Sequence, residues 1–272
     1  MRIEAAFKSE ERLPLIPFIT AGDPSLEVTL DVIRLLDKEK VTAIELGVPY
    51  SDPLADGPVI QSASERALSQ GVTLTRVLEL ARTAREMGVT TPLVLFSYYN
   101  PIFRFGEEAL VDRAYFSGLN GMIIPDLPWE EGRRFSQLAG ERGMDLIPLV
   151  APTSQERIRR IVSDARGFVY CVSSMGTTGM RQHFSAGVES FLDAVREYSP
   201  VPTAVGFGIS RSEQVRHFLH HADAAVVGSA LVRLIAAKGD RLQDCNRKAQ
   251  AVAEIRESIR DLAAFPLPSP KG

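Results

Sequence analysis

The chain has 272 residues, 45% of them hydrophobic and 24% charged, with a net charge of −3. This make-up fits an ordinary soluble globular protein and leaves no strong positive field for nucleic acid. Two cysteines, Cys171 and Cys245, form neither a disulfide framework nor a metal-ligand spacing, and the apolar stretch from Ala224 stops at Arg233, well short of a membrane span. Charges occur throughout the first twelve residues, so no secretory leader is expected and the cytoplasm is the expected location.

In chain order, the strand candidates are Leu15–Thr20, Ala43–Gly47, Leu93–Ser97, Gly121–Pro125, Leu146–Val150, Phe168–Val172, Thr203–Gly206 and Ala224–Gly228. Each is a short, nearly continuous apolar run bounded by Pro, Gly, Ser or Asp, as strands covered on both faces must be. Helical patterns follow them. Asp23-Pro24-Ser25 opens Leu26–Lys38, with apolar residues at Leu26, Leu30, Ile33 and Leu36. Thr153-Ser154 caps Gln155–Val162, and Ser210 precedes Glu213–Leu219 in the same fashion.

Eight strands, each followed by a helix, predict a single (β/α)₈ TIM barrel over residues 1–264, with an extra N-terminal helix and extended loops after strands two and six. A doubly wound open sheet is the structural alternative, but it leaves two edges to protect. About 45 residues separate strands two and three, room for an extra helix near Ile60–Ser69 and another near Leu74–Met87. Ser173–Gly187, after strand six, carries three glycines and little periodicity. Both connections fall on the face that carries chemistry in this fold. The Pro-rich tail, residues 265–272, is expected to be disordered.

Chemistry concentrates in Glu45-Leu46-Gly47-Val48-Pro49-Tyr50-Ser51-Asp52-Pro53-Leu54-Ala55-Asp56-Gly57-Pro58. Glu45 ends an apolar run, where a charge is costly, whereas Asp56 lies in a Pro/Gly-rich loop. Acids in such different surroundings titrate apart and divide acid and base work. Strand seven runs into Gly206-Phe207-Gly208-Ile209-Ser210 and strand eight into Gly228-Ser229-Ala230. Glycine loops there admit an anion to backbone N–H groups, the recurring phosphate site of this barrel. Gly176-Thr177-Thr178-Gly179 is a candidate lid.

Together with Pro17–Pro24 and Pro125-Asp126-Leu127-Pro128, these segments resemble the α subunit family of tryptophan synthase from residue 17 to residue 229, in family order. The resemblance implies a barrel enzyme, a carbon–carbon lyase of L-tryptophan biosynthesis. It would cleave indole-3-glycerol phosphate to indole and glyceraldehyde 3-phosphate without a cofactor. It also implies a pyridoxal-phosphate-dependent β subunit as partner, in an α2β2 heterotetramer. By the same resemblance Glu45 is the general acid/base and Asp56 handles the indole N–H. Phe18, Tyr98, Ile123, Tyr170, Thr178 and Phe207 fall at substrate positions, and Gly179, Gly208, Gly228 and Ser229 at phosphate positions. Asp52, Pro53, Asn100 and Phe103 match the face that meets the β subunit; no metal is implied. Departures are Ser174-Met175 before the lid, Thr177 where valine is common, and Pro125 where some members have alanine.

Three other readings compete. A phosphosugar isomerase would share both phosphate loops but has little use for an indole pocket or Asp56. A scaffold that only activates a β subunit would not need the two acids. A stand-alone lyase would release free indole.

Overall fold

Nine short strand segments form one parallel sheet in the computed structural model, which describes residues 2–153, 155–172 and 187–263. They are β1 (Leu15–Thr20), β2 (Ile44–Gly47), β3 (Leu93–Phe96), β4 (Gly121–Ile123), β5 (Asp145–Leu146), β6 (Leu149–Val150), β7 (Val169–Val172), β8 (Thr203–Gly206) and β9 (Ala224–Val227). Their order is β5-β4-β3-β2-β1-β9-β8-β7-β6. The two ends of that order are separated only by Ile147-Pro148. The Ile147 N–H donates to Met122 O and the Tyr170 N–H to Pro148 O, each at 2.9 Å, so the sheet closes on itself. No open edges remain, which excludes the doubly wound sheet.

The fifth strand read from sequence, Leu146–Val150, is therefore corrected to two two-residue pieces. Pro148 has no N–H to give the ladder, and a proline inside a strand breaks it. Elsewhere the strands sit where the apolar runs place them, to within one or two residues at their ends.

Side chains alternate strictly across the wall. Ile16, Val94, Ile123, Phe168, Ala204 and Val226 pack together inside the barrel. Leu15, Ile44, Leu46, Leu95, Met122 and Val205 face the surrounding helices in the larger core. Burial on both faces is why runs such as β1, β2 and β9 read as continuous rather than alternating. The N-terminal helix Ile3–Phe7 plugs the barrel floor, with Ile3 in the inner cluster and Phe7 5.5 Å from Phe168.

Helices Pro58–Ser69 and Leu74–Glu86 occupy the long connection after β2. Ser25 Oγ accepts the Val28 N–H at 3.2 Å and starts the helix Leu26–Lys38. At Ser212–Phe218 the expected Ser210 cap is replaced by Gln214, whose Oε1 accepts the N–H groups of Ser210 (2.9 Å) and Arg211 (3.1 Å). Ser154 and the 265–272 tail lie outside the described residues.

Candidate active site

Glu45 stands on β2 in register with Phe18 of β1 and Val94 of β3, the row that points into the barrel. Its neighbours Ile44 and Leu46 point outward to the helices. Alternation thus forces the one acid of the strand inward. It is fully buried, and among the described residues neither carboxylate oxygen has a hydrogen-bond partner. Desolvation of the charged form raises its pKa to about 8. Ionising this acid where it stands costs stability, because nothing among the described residues pairs with the charge.

Asp56 approaches from the loop between β2 and helix Pro58–Ser69, two residues before the helix starts. It does not cap that helix with its side chain; Gly57 is the N-cap. Burial raises the Asp56 pKa to about 6, against the opposing pull of the Tyr98 hydroxyl, which donates to Oδ2 at 3.1 Å. Gln61 Nε2 donates to the Asp56 carbonyl at 2.8 Å and pins the backbone. Tyr98 itself accepts the Ala55 N–H at 3.0 Å and packs on Tyr50 with ring centres 5.2 Å apart.

Both acids line one cavity of about 1050 Å³ at the C-terminal end of the strands. Phe18, Tyr170, Phe207, Gly208, Gly228 and Ser229 line it as well. Tyr170 on β7 lies within the electrostatic reach of both Glu45 and Asp56, and burial first, then these two charges, push its phenol well above the usual range. Its ring fits only because residue 206 is glycine: a Cβ there would sit 2.5 Å from the ring. Gly47 makes the same allowance for Phe18, whose ring tip would lie 2.4 Å from a Cβ. At the far end Gly208 adopts φ 70°, a left-handed conformation suited to glycine, and Ser229 opens the helix Ser229–Ala237 directly after Gly228.

Two expected substrate residues stand back from the cavity surface. Ile123 is fully buried in the inner barrel cluster, and Tyr98 reaches the cavity through Asp56. Thr178 and Gly179 lie outside the described residues, as do Ser174, Met175, Thr177 and His183. Sequence reasoning passed over Phe96 and Ile60, which also line the cavity; Phe96 meets Phe18 edge-on at 5.4 Å. Its inward parity with Val94 on β3 was the available signal. Asp126, on the same rim, accepts the Tyr99 N–H at 2.8 Å and so holds the start of helix Tyr99–Phe105.

Asp52, Pro53, Asn100 and Phe103 gather on the loop after β2 and the helix after β3. Asn100 donates to the Tyr50 hydroxyl at 3.0 Å, which ties the two segments together. Phe103 is 68% exposed, and Leu54, beside Pro53, is 87% exposed. His217 and His221 pair with Glu189 and Asp193 on the outer surface, away from the cavity. Among the described residues no cluster of His, Cys, Asp and Glu fits a metal ion, and no helix is long and apolar enough to cross a membrane.

The family model described as tryptophan synthase alpha chain matches residues 5–261. Tryptophan synthase alpha chains of Halalkalibacterium halodurans and Geobacillus stearothermophilus are 46% and 49% identical, covering 96% and 94% of this chain and 98% and 94% of their own. A mutant tryptophan synthase α subunit of Pyrococcus furiosus superimposes with a TM-score of 0.82 at 35% identity, covering 92% of this chain and 98% of its own. The α2β2 complex of the same organism gives a TM-score of 0.80 at 36% identity, with 92% and 97% coverage. With two differently buried acids facing a glycine-lined pocket inside a closed parallel barrel, the chain belongs to the tryptophan synthase alpha chain family.

Proposed function

We infer that the chain cleaves indole-3-glycerol phosphate to indole and glyceraldehyde 3-phosphate, a retro-aldol lysis. The observation that carries the assignment to residues is that Glu45, without a hydrogen-bond partner among the described residues, and Tyr98-held Asp56 line one cavity. With a pKa of about 8, Glu45 is protonated at neutral pH and can deliver a proton to indole C3. Asp56, at about 6, is then ionised and accepts a hydrogen bond from the ring N–H as positive charge develops on nitrogen. The Glu45 carboxylate left by that transfer takes the proton of the glycerol hydroxyl next to the ring, the oxygen's electrons form the aldehyde, and the breaking C–C bond returns its pair to the ring. One proton is gained at C3 and one lost from oxygen, so the reaction balances without a cofactor.

Phe18, Phe96, Ile60 and Phe207 provide apolar walls for the indole ring, and Tyr170 faces the glycerol chain. The phosphate is received by backbone N–H groups around Gly208, Gly228 and Ser229, where the helix Ser229–Ala237 points its positive end at the cavity. Thr178 and Gly179 complete the substrate contacts in this reading. Pyridoxal phosphate belongs to the β subunit, which receives the indole. Leu54, Asp52, Pro53, Asn100 and Phe103 form the face on which that subunit docks.

Lysis assayed on the purified chain with and without β subunit tests the reading. Glu45→Gln and Asp56→Asn should each lower kcat about 10²–10⁴-fold. Retention of more than a tenth of the activity by either variant removes that residue from the chemistry.

A further inference from the structure

The cavity is larger than one substrate needs, at the upper end of the roughly 300–1,000 Å³ of a small-molecule pocket. The excess lies to one side. From the catalytic chamber it continues past β5 and β6 into a cleft between helix Trp129–Glu141 and helix Gln155–Ser163. There the fifth strand is broken at Ile147-Pro148. β1, β2, β4 and β9 are buried throughout, whereas both residues of β5 are half-exposed.

Two glycines border the cleft. Gly132 and Gly140 stand on the helix face that borders it, and the missing Cβ of Gly140 is where the Arg166 guanidinium lies, 2.4 Å from that point. Across the upper end Arg157 forms a fork with Glu130 at 2.7 and 3.3 Å. Neighbouring helix pairs, Glu107–Phe116 with Trp129–Glu141 and Gln155–Ser163 with Val188–Tyr198, pack directly on each other. The lining of the cleft is apolar at its base, with Leu127, Leu146, Pro148, Ile161 and Ala165, while Ser136 and Gln137 and charged groups of both signs, Arg133, Arg157 and Arg166 with Glu141 and Asp164, line the rest of it.

We propose that this side arm is a second binding compartment for a neutral planar aromatic of the indole class, open to the catalytic chamber. The occupant follows from chemistry and continuity. The apolar base matches a flat ring, and Ser136 beside it offers an acceptor for a single ring N–H. The arm's three arginines, Arg133, Arg157 and Arg166, are matched in number by Glu130, Glu141 and Asp164, and the phosphate loops lie at the other end of the cavity, so no net positive charge favours a phosphorylated ligand in the arm. The choice of indole rests on the lysis reading, because that reaction releases indole into the adjoining chamber.

The test is methyl NMR on the full chain, titrated with indole after the chamber is filled with a non-cleavable indolylalkyl phosphate. The Ile60 methyl, on the chamber wall, reports filling of the chamber. Leu146 and Ile161 methyls should then move with added indole along a saturating curve, with Kd on the order of a millimolar. Ile33, in the outer helix core, should stay still. Ser136→Phe and Ala165→Phe should each remove the second titration and leave the kcat of lysis within about twofold. Leu146 and Ile161 signals that do not move, or that move equally in both variants, overturn the proposal. An Ile60 signal blind to the phosphate compound counts against the lysis reading instead, and the indole titration of Leu146 and Ile161 still decides the arm. If a variant fails to fold, the titration of the unaltered chain is decisive by itself.

Discussion

The Tyr98 hydroxyl donates to Asp56 Oδ2 at 3.1 Å while accepting the Ala55 N–H at 3.0 Å. One phenol thus fixes both the side chain of Asp56 and the backbone just before it. Tyr98→Phe would keep the ring on Tyr50 and lose both bonds. A hydrogen bond to a charged group is worth about 1.5–3 kcal/mol, so kcat/KM for lysis should fall about 10- to 100-fold. Because that bond favours the ionised carboxylate, its loss raises the Asp56 pKa, and the acidic limb of the pH–rate profile should move to higher pH. An unmoved limb would mean that Tyr98 does not act through Asp56.

The two acids imply a bell-shaped profile. Activity should rise as Asp56 ionises near pH 6 and fall as Glu45 loses its proton near pH 8. In the residual activity of Glu45→Gln the alkaline limb should vanish and the acidic one persist. Steady-state rates from about pH 5 to about pH 9.5 would check this, and an alkaline limb intact in the variant would exclude Glu45 as its source.

Stability carries the same signature. Glu45 has an ordinary pKa near 4.5 when unfolded and about 8 when folded. Between those values the folded chain holds a proton that the unfolded chain releases. Its contribution is therefore fully present below about pH 4.5, declines as pH rises, and is lost above about pH 8. At about 1.4 kcal/mol per pKa unit, the decline is on the order of several kcal/mol. Urea unfolding should show Glu45→Gln gaining on the unaltered chain from about pH 5 to about pH 9. Parallel stability curves would contradict the burial argument.

Gly206→Ala tests the room made for Tyr170. The new methyl would lie 2.5 Å from the ring and 2.6 Å from its oxygen, so the ring must move. Overpacking of this kind costs about 1–3 kcal/mol. A drop of several degrees in Tm, with at least a tenfold loss in lysis, is expected. Thermal melts and kinetics on one preparation would separate the two effects.

On the docking face, Leu54→Ser and Phe103→Ser remove exposed apolar groups from a surface proposed to meet the β subunit. Each should weaken assembly by about tenfold, as a moderate anchor does. Neither should change the Tm of the isolated chain by more than about a degree, because surface changes are usually within about 0.5 kcal/mol. Sedimentation or interferometry with the β subunit would measure it; unchanged affinity in both would relocate the interface.

The barrel was legible in the sequence because most wall strands are buried on both faces and so read as unbroken apolar runs. The same local rule explains why Glu45 could be singled out: a lone acid in such a run has no structural excuse. Glycine loops after β8 and β9 were equally visible, since the need for close backbone approach selects a residue type at a fixed place. Pro148 is visible too, yet the run around it still reads as one strand. Whether a proline ends a strand or merely interrupts it depends on what neighbouring strands supply.

Residues far apart in the chain were another matter. That Tyr98 reaches Asp56 across 42 positions, that Gly206 stands aside for Tyr170, and that the wall opens beside Leu146 all depend on barrel closure. Periodicity and local propensity determined the strands, the helices and the inward turn of Glu45. Only the packed barrel decided how its acid partners, glycines and gaps meet, because pairings between distant strands are set by the closed geometry and leave no mark within a single run of residues.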